Sequence, residues 1–228
     1  MGGQAFPSPN FGNRRDGATP RLVVLHYTGM DSHKAAYDRL CDPASEVSAH
    51  YLIGMDGTVV PLVAETARAW HAGAGAWGRV TDVNSHSIGI ELTNPGHSPF
   101  PEAQMAALAE VLTGIMDRWK ITPHCVIAHS DMAPRRKHDP GARFDWRRLA
   151  LMGLSVWPEP AEPEGRSALS FAAAARAFGY PDVPQEDLLN AFRLRFRPWA
   201  RGPVDEIDIR LANDLAARFA IDAGPARA

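Results

Sequence analysis

Cysteine is scarce in this sequence and basic residues are not in excess, and each shortage argues against a class of protein. Cys41 and Cys125 are the only cysteines among 228 residues, and neither belongs to a CxxC pair. This spacing argues against a disulfide-stapled scaffold and against a thiolate metal site, so we expect two buried, inert thiols. The formal net charge is -2, and charge therefore gives no indication of a nucleic-acid partner.

Long apolar runs are also missing. No stretch approaches the roughly 20 residues of a membrane-spanning helix, so no membrane span is expected. The first twenty residues contain neither the apolar core of a signal peptide nor an early cysteine for lipid attachment. We therefore expect a cytoplasmic protein; a leader removed ahead of this sequence would instead place it in the periplasm or at the outer membrane. Hydrophobic residues make up 45% of the chain, which is typical of a globular protein with a packed core.

Short apolar strands alternate with helical patterns over residues 1–157. A helix is predicted over 31–42 and another from Pro101, with its apolar side chains on one face. Residues 64–85 predict a long functional loop. The predicted strands are 21–27, 50–53, 58–62, 87–92 and 125–129. This order predicts an α/β fold, in which a mixed β-sheet is flanked by helices.

The composition changes after Trp157. PEPAEPEG combines prolines with acidic residues and predicts an extended linker over residues 158–166. Beyond it, residues 167–228 predict a small three-helix domain, near the lower size limit for independent folding. Its helices are predicted over 167–178, 185–196 and 204–219. Phenylalanines at helical spacings in this segment are expected to lie mostly in its core, with a carbohydrate-binding platform as the alternative.

Two histidines and an aspartate stand where they can meet. His26 and His129 end predicted strands, and the loop after His129 returns Asp139 toward it, with Pro140 biasing Asp139 to an extended backbone. If the two strands are neighbours, both imidazoles lie at one edge of the sheet. Two imidazoles and one carboxylate are a ligand set of catalytic zinc, which leaves a fourth position open. A structural histidine at a strand end is nevertheless the commoner case, so the residues alone leave both interpretations open.

Two further residues suit hydrolytic chemistry. Glu91 lies near the end of the predicted strand SIGIEL, where apolar neighbours would raise its pKa and favour a general acid or base. Lys137 lies two residues before Asp139, where its charge could stabilise an oxyanion. The alternatives are a solvent-exposed glutamate, and a solvated basic face formed by RRK.

Five motifs occur together in one order: VVLHYT, VSAHYLIGMDGTV, AWHAG, SIGIEL and AHSDMAPRRKHDPG. Jointly they resemble the zinc-dependent N-acetylmuramoyl-L-alanine amidases of the type 2 family, in particular its AmiD- and AmpD-like branch. The resemblance covers about residues 22–146. The segment after the linker resembles the three-helix peptidoglycan-binding domain of AmiD-like enzymes.

The resemblance implies a zinc ion on His26, His129 and Asp139, with Glu91 as catalytic acid/base and Lys137 stabilising the tetrahedral intermediate. The implied reaction is hydrolysis of the amide bond between N-acetylmuramic acid, or its 1,6-anhydro form, and L-alanine. The implied partners are peptidoglycan or anhydro-muropeptides, in cell-wall turnover or recycling. More distant relatives have a tyrosine before the hairpin histidine, where this chain has Ala49; its role is expected to fall to Glu91.

The remaining candidates could contact substrate. His71 could line the cleft, Asn94 could hydrogen-bond a sugar or peptide, and Arg136 could attract stem-peptide carboxylates. His50 is expected to be a structural hydrogen-bonding residue, with a catalytic role as the alternative. A non-catalytic peptidoglycan receptor and an unrelated zinc peptidase are the two other functions that these residues permit.

Overall fold

A five-stranded sheet forms the centre of the computed structural model, which describes residues 6–159 and 169–221. The strands are β1 Phe11–Gly12, β2 Leu22–Tyr27, β3 Tyr51–Ile53, β4 Val59–Pro61, β5 Arg68–Ala69, β6 Ser87–Leu92 and β7 Val126–Ala128. The helices are α1 His33–Cys41, α2 Val83–His86, α3 Glu102–Trp119, α4 His129–Met132, α5 Trp146–Leu151, α6 Phe171–Phe178, α7 Gln185–Phe196 and α8 Glu206–Phe219.

The order of strands in the main sheet is β4-β3-β6-β2-β7. Strand β2 pairs in parallel with β6 on one side and with β7 on the other, whereas β3 and β4 form an antiparallel hairpin. The predicted mixed sheet flanked by helices is therefore confirmed. Strand β2 thus lies between β6, which carries Glu91, and β7, which ends immediately before His129.

Both faces of the sheet are covered, as the continuous apolar run of β2 requires. Leu22 and Val24 belong to a core shared with α6, α7 and α8, whereas Val23 and Leu25 belong to a second core under α3. The alternation follows from the two-residue period of a strand. A third, smaller cluster packs α1 against the hairpin.

The three predicted C-terminal helices are present. Helix α7 has the predicted bounds, whereas α6 and α8 begin later, because Ser170 and Asp205 are N-caps whose side chains accept hydrogen bonds from Ala173 and Asp208. Most of the predicted linker, from residue 160 on, lies outside the described residues. The helices share a core with the sheet. The division of the chain into two domains at residues 158–166 therefore stays a prediction from the sequence.

A buried ion pair also joins the helices to the sheet. Arg195 of α7 lies 2.6 Å from Asp131 of α4, and neither side chain is exposed. Asp131 accepts a further hydrogen bond from the Tyr180 hydroxyl at 2.7 Å and another from the Ala128 amide at 2.9 Å. The C-terminal helices thus contact the segment that carries His129.

Several elements depart from the sequence predictions. The predicted loop 64–85 contains β5, which pairs with the unpredicted β1, and α2. Helices α4 and α5 were also not predicted, since each spans fewer than two turns and carries little periodic signal. Both cysteines are free, but they are partly exposed instead of buried. Within the described residues, none of the helices combines the length and apolar character needed to cross a bilayer.

Candidate active site

The two predicted histidine ligands meet at the carboxyl edge of the sheet. Leu25 pairs with Ala128, so the next residues, His26 of β2 and His129 at the start of α4, lie side by side. Their Nδ1 atoms lie 2.8 Å apart. This juxtaposition confirms the expectation that the two strands are neighbours.

Asp139 completes the group from the loop that follows α4. Its carbonyl oxygen accepts a hydrogen bond from the Ser130 amide at 3.0 Å, which ties the loop to that helix. The Oδ2 atom lies 3.0 Å from Nδ1 of His26 and 2.9 Å from Nδ1 of His129. These three buried residues could hold a metal ion. Two imidazole nitrogens and one carboxylate oxygen are the donor set of a catalytic zinc site, so the residues present fit the ion.

The second nitrogen of each ligand ring is also held. Nε2 of His129 donates to the Ala72 carbonyl at 2.9 Å, and Nε2 of His26 lies 3.0 Å from Nδ1 of His71. Burial and the neighbouring His129 lower the pKa of His26 to about 4. Burial and the nearby His26 ring lower the pKa of His71 well below its ordinary value. The rings of His26 and His71 are therefore neutral at pH 7, and a neutral imidazole is the form that binds a metal.

Glu91 lies on β6, directly beside His26 of β2 in the sheet register. Its Oε2 atom is shielded from solvent and has no hydrogen-bond partner among the described residues. Burial and the negative charge of Asp139 raise the pKa of Glu91 well above its ordinary value, partly opposed by Lys137. A carboxyl group with a raised pKa and a free oxygen beside the ligands suits a general acid or base.

These residues line one cleft of about 420 Å³. Lys137 lies on its wall with His26, Glu91, His129 and Asp139. Three ligands, a carboxyl group and an ammonium group therefore face the same space. The arrangement can bind a metal and transfer protons within reach of one bound molecule.

The three candidate substrate contacts are placed differently. The Arg136 guanidinium lines the cleft but donates to the Ala72 and Ala74 carbonyls. Asn94 is fully buried; its amide group bonds the backbone of residues 96–99. His71 lines the cleft, yet both of its ring nitrogens face protein groups. Within the described residues, Arg136 and Asn94 thus hold loops together.

Sequence reasoning did not single out two residues that also line the cleft. Arg39 of α1 is exposed, and Trp70 is partly buried. Helical spacing gave no reason to select Arg39, and Trp70 was overlooked beside His71 in the motif AWHAG. His50 has the expected structural role: its Nδ1 accepts from the Gly89 amide, and its Nε2 faces the Ala67 carbonyl.

Comparison with known proteins relates this chain to one family of amidases. The family model for N-acetylmuramoyl-L-alanine amidase matches residues 16–142. The N-acetylmuramoyl-L-alanine amidase AmiD of Escherichia coli is 34% identical over 90% of this chain and 86% of its own length. The 1,6-anhydro-N-acetylmuramyl-L-alanine amidase AmpD of Escherichia coli is 33% identical over 67% of this chain and 92% of its own length.

A solved structure extends the likeness to the whole fold. It is a complex of Escherichia coli AmiD with anhydro-N-acetylmuramic acid-L-Ala-D-γ-Glu-L-Lys. It superposes with a TM-score of 0.79 at 32% identity and covers 91% of this chain and 93% of its own. Residues 1–157 make up only about two thirds of the chain. A match over 91% of the chain therefore extends into the C-terminal helices. The family match over more than half of the sequence, the two relatives and this common fold together show that the chain is a hydrolase belonging to the N-acetylmuramoyl-L-alanine amidase family.

Proposed function

We propose that this enzyme uses zinc to hydrolyse the amide bond between the lactyl group of N-acetylmuramic acid, or of its 1,6-anhydro form, and L-alanine. The observation that carries the proposal is the meeting of His26, His129 and Asp139 within 3.0 Å, beside a buried Glu91 oxygen without a partner. The AmiD complex with an anhydro-muramoyl peptide supports this choice of substrate.

Zinc at this site would supply Lewis acidity and lower the pKa of a water molecule toward 7. Glu91 accepts a proton from the attacking water as the new C–O bond forms. It then delivers that proton to the nitrogen of L-alanine as the C–N bond breaks. The raised pKa of Glu91 suits both transfers, because a carboxyl group with a higher pKa accepts a proton from water more readily before it passes that proton on.

Lys137 acts on the charge that develops at the carbonyl oxygen. Lys137 lines the cleft, and its charge is close enough to lower the pKa of Glu91 against the effect of burial. A cation at this position stabilises an oxyanion more than it stabilises the neutral amide of the bound substrate. It therefore favours the transition state over the ground state.

The test is digestion of 1,6-anhydro-muropeptide and of intact sacculi, followed by mass spectrometry. We expect free stem peptide, loss of activity with a chelator, and recovery with zinc but not with magnesium. Intact muropeptide that is nevertheless bound would identify a receptor, and fragments cut within the peptide would identify a different peptidase. Either result would refute the proposal. The ratio of the two rates shows whether soluble fragments or polymeric wall is preferred.

We also propose that the C-terminal helices contact peptidoglycan. Trp199, in the turn between α7 and α8, is 68% exposed, and an exposed indole ring offers a flat apolar face to a sugar. Cosedimentation with sacculi should weaken in Trp199→Ala, while hydrolysis of a small muropeptide stays unchanged. Equal sedimentation of both proteins would leave these helices with a purely structural role.

A further inference from the structure

A chain of hydrogen bonds runs from His26 through His71 to the start of β6. Nε2 of His26 lies 3.0 Å from Nδ1 of His71, and Nε2 of His71 lies 3.1 Å from Oγ of Ser87. The Ser87 hydroxyl donates to the Val83 carbonyl at 2.6 Å. The chain thus begins at a residue of the candidate metal site and ends at a backbone oxygen.

The direction of these hydrogen bonds follows from the Val83 carbonyl, at which the chain ends. A carbonyl oxygen only accepts, so Ser87 gives its single proton to Val83 and must accept from Nε2–H of His71. A neutral imidazole has one N–H, which leaves Nδ1 of His71 as an acceptor for Nε2–H of His26. Nδ1 of His26 therefore carries a lone pair, and this is the atom that faces His129 and Asp139.

We propose that His71, oriented by Ser87, is a positioning residue that fixes the tautomer and the ring orientation of His26 for metal binding. The inference rests on the proposed zinc site. It assigns His71 a role other than the substrate contact expected from its sequence motif. Partners of this kind, which hold the second nitrogen of a ligand histidine, typically contribute 10- to 100-fold to metal affinity.

Strand β6 is built to accept the His71 ring. Ser87, Gly89 and Glu91 alternate along one face of β6, while Ile88 and Ile90 point into the core under α3. A Cβ atom on Gly89 would lie 2.4 Å from Cγ of His71, so a larger residue would displace the ring. The glycine of SIGIEL therefore provides the space in which His71 reaches both Ser87 and His26.

The residue after His71 holds the other histidine ligand. The Ala72 carbonyl accepts from Nε2 of His129 at 2.9 Å, which by the same argument leaves the lone pair on Nδ1. Oδ1 of Asn84 accepts from the backbone amides of His71 and Ala72 at 3.1 and 2.8 Å. One short segment, anchored by Asn84, thus sets the outer nitrogens of both ligand rings.

Zinc affinity, measured on the full chain by competition with a chelating dye, tests the inference. We expect His71→Leu and Gly89→Ala to weaken zinc binding by about 10- to 100-fold. His71→Asn should retain part of the affinity, because its Oδ1 can replace Nδ1 as the acceptor for His26. Gly12→Ala is the matched control: this strand glycine has no atom within 4 Å of an added Cβ, and wild-type affinity is expected.

The histidine tautomers supply a readout that a purely structural role would not change. Long-range ¹H–¹⁵N spectra of the metal-free protein should show His26 protonated on Nε2 in the wild type and a mixture of tautomers in Ser87→Ala. Ser87→Ala removes one oxygen atom and keeps the test informative if the His71 variants fail to fold. If the wild type binds zinc and the variants keep both its zinc affinity and its His26 tautomer, the inference is overturned. A wild type that binds no zinc would instead refute the proposed function.

Discussion

The helical region and the cleft treat buried polar groups in opposite ways. In the helices, Arg193 and Arg197 both contact the fully buried Asp208, and Arg195 contacts Asp131 of α4. These guanidinium groups are paired with carboxylates inside the protein. Such pairing is what burial of charge requires, because an unpaired buried charge costs several kcal/mol.

In the cleft, polar groups are left without such partners. The ligand atoms of His26, His129 and Asp139 face one another, and an oxygen of Glu91 has no partner among the described residues. A cation and a substrate can satisfy these groups, but the protein by itself does not. The paired charges thus lie where they can stabilise the packed core, whereas the polar groups of the cleft converge without partners, which is the arrangement expected of a functional site.

The largest effect is expected from Glu91→Gln. Turnover should fall by about 10²- to 10⁴-fold because the amide cannot transfer the proton. Zinc affinity and the free energy of unfolding should be kept, since Oε2 has no hydrogen bond to lose. Steady-state kinetics and urea unfolding check the two halves of this prediction. Turnover close to wild type would remove Glu91 from the mechanism.

Asp131→Asn tests whether the buried ion pairs of the helical region stabilise the protein. The change leaves Arg195 buried without its counterion and should lower the free energy of unfolding by about 3–5 kcal/mol, as measured by urea unfolding. Arg195→Met added to Asp131→Asn should restore most of the loss, because the unpaired charge is then removed. A double variant as unstable as the single variant would mean that packing, and not charge, is responsible.

His50→Asn tests whether His50 is a structural residue that does not belong to the candidate metal site. Burial and the charge of Arg14 lower the pKa of His50 to about 3, below the ordinary 6.5. The unfolded chain therefore binds the proton first, and the stability that neutral His50 contributes above pH 6.5 is lost as the pH falls toward 3.

The asparagine variant lacks this titration but can keep an acceptor for the Gly89 amide. Between pH 7 and pH 4.5, the metal-free wild type should lose about 2–3 kcal/mol more stability than the variant. Urea unfolding at the two pH values measures the difference. Equal losses in the two proteins would contradict a depressed pKa at His50.

The smallest effect is expected at the surface. The exposed i, i+4 pair of Lys34 and Asp38 on α1 is screened by water and should contribute little to stability. Lys34→Ala should leave both the urea midpoint and the turnover unchanged. A clear drop in the midpoint would show that exposed pairs also stabilise this fold.

Much of the fold followed from local patterns. The apolar run of β2, the amphipathic face of α3 and the helical pattern of α7 each predicted an element close to its observed bounds. Strand β1 and helices α4 and α5 were not predicted, because segments of two to six residues carry too little periodicity. The candidate ligands and Glu91 were selected from their motifs, whereas Arg39 of the cleft wall lay outside any motif.

The supporting residues show where sequence reasoning stops. Ser87 and Gly89 were visible as alternate positions of a strand, but nothing in their order connected them with His71. That connection depends on β6 lying beside β2 and on the 64–85 segment crossing its face. Asn94 and Arg136 were selected by residue type, and their contacts with neighbouring backbone became visible only in the folded chain.

The sequence alone determined which of the longer segments become strands and helices, and which side chains are chemically able to bind a metal or move a proton. These properties depend on residue type and short-range spacing, which a linear chain displays directly. Only the tertiary structure decided which nitrogen of each histidine faces the cleft and which buried charges are paired. Those outcomes depend on hydrogen bonds between residues far apart in the chain, and such contacts exist only after the strands have taken their places.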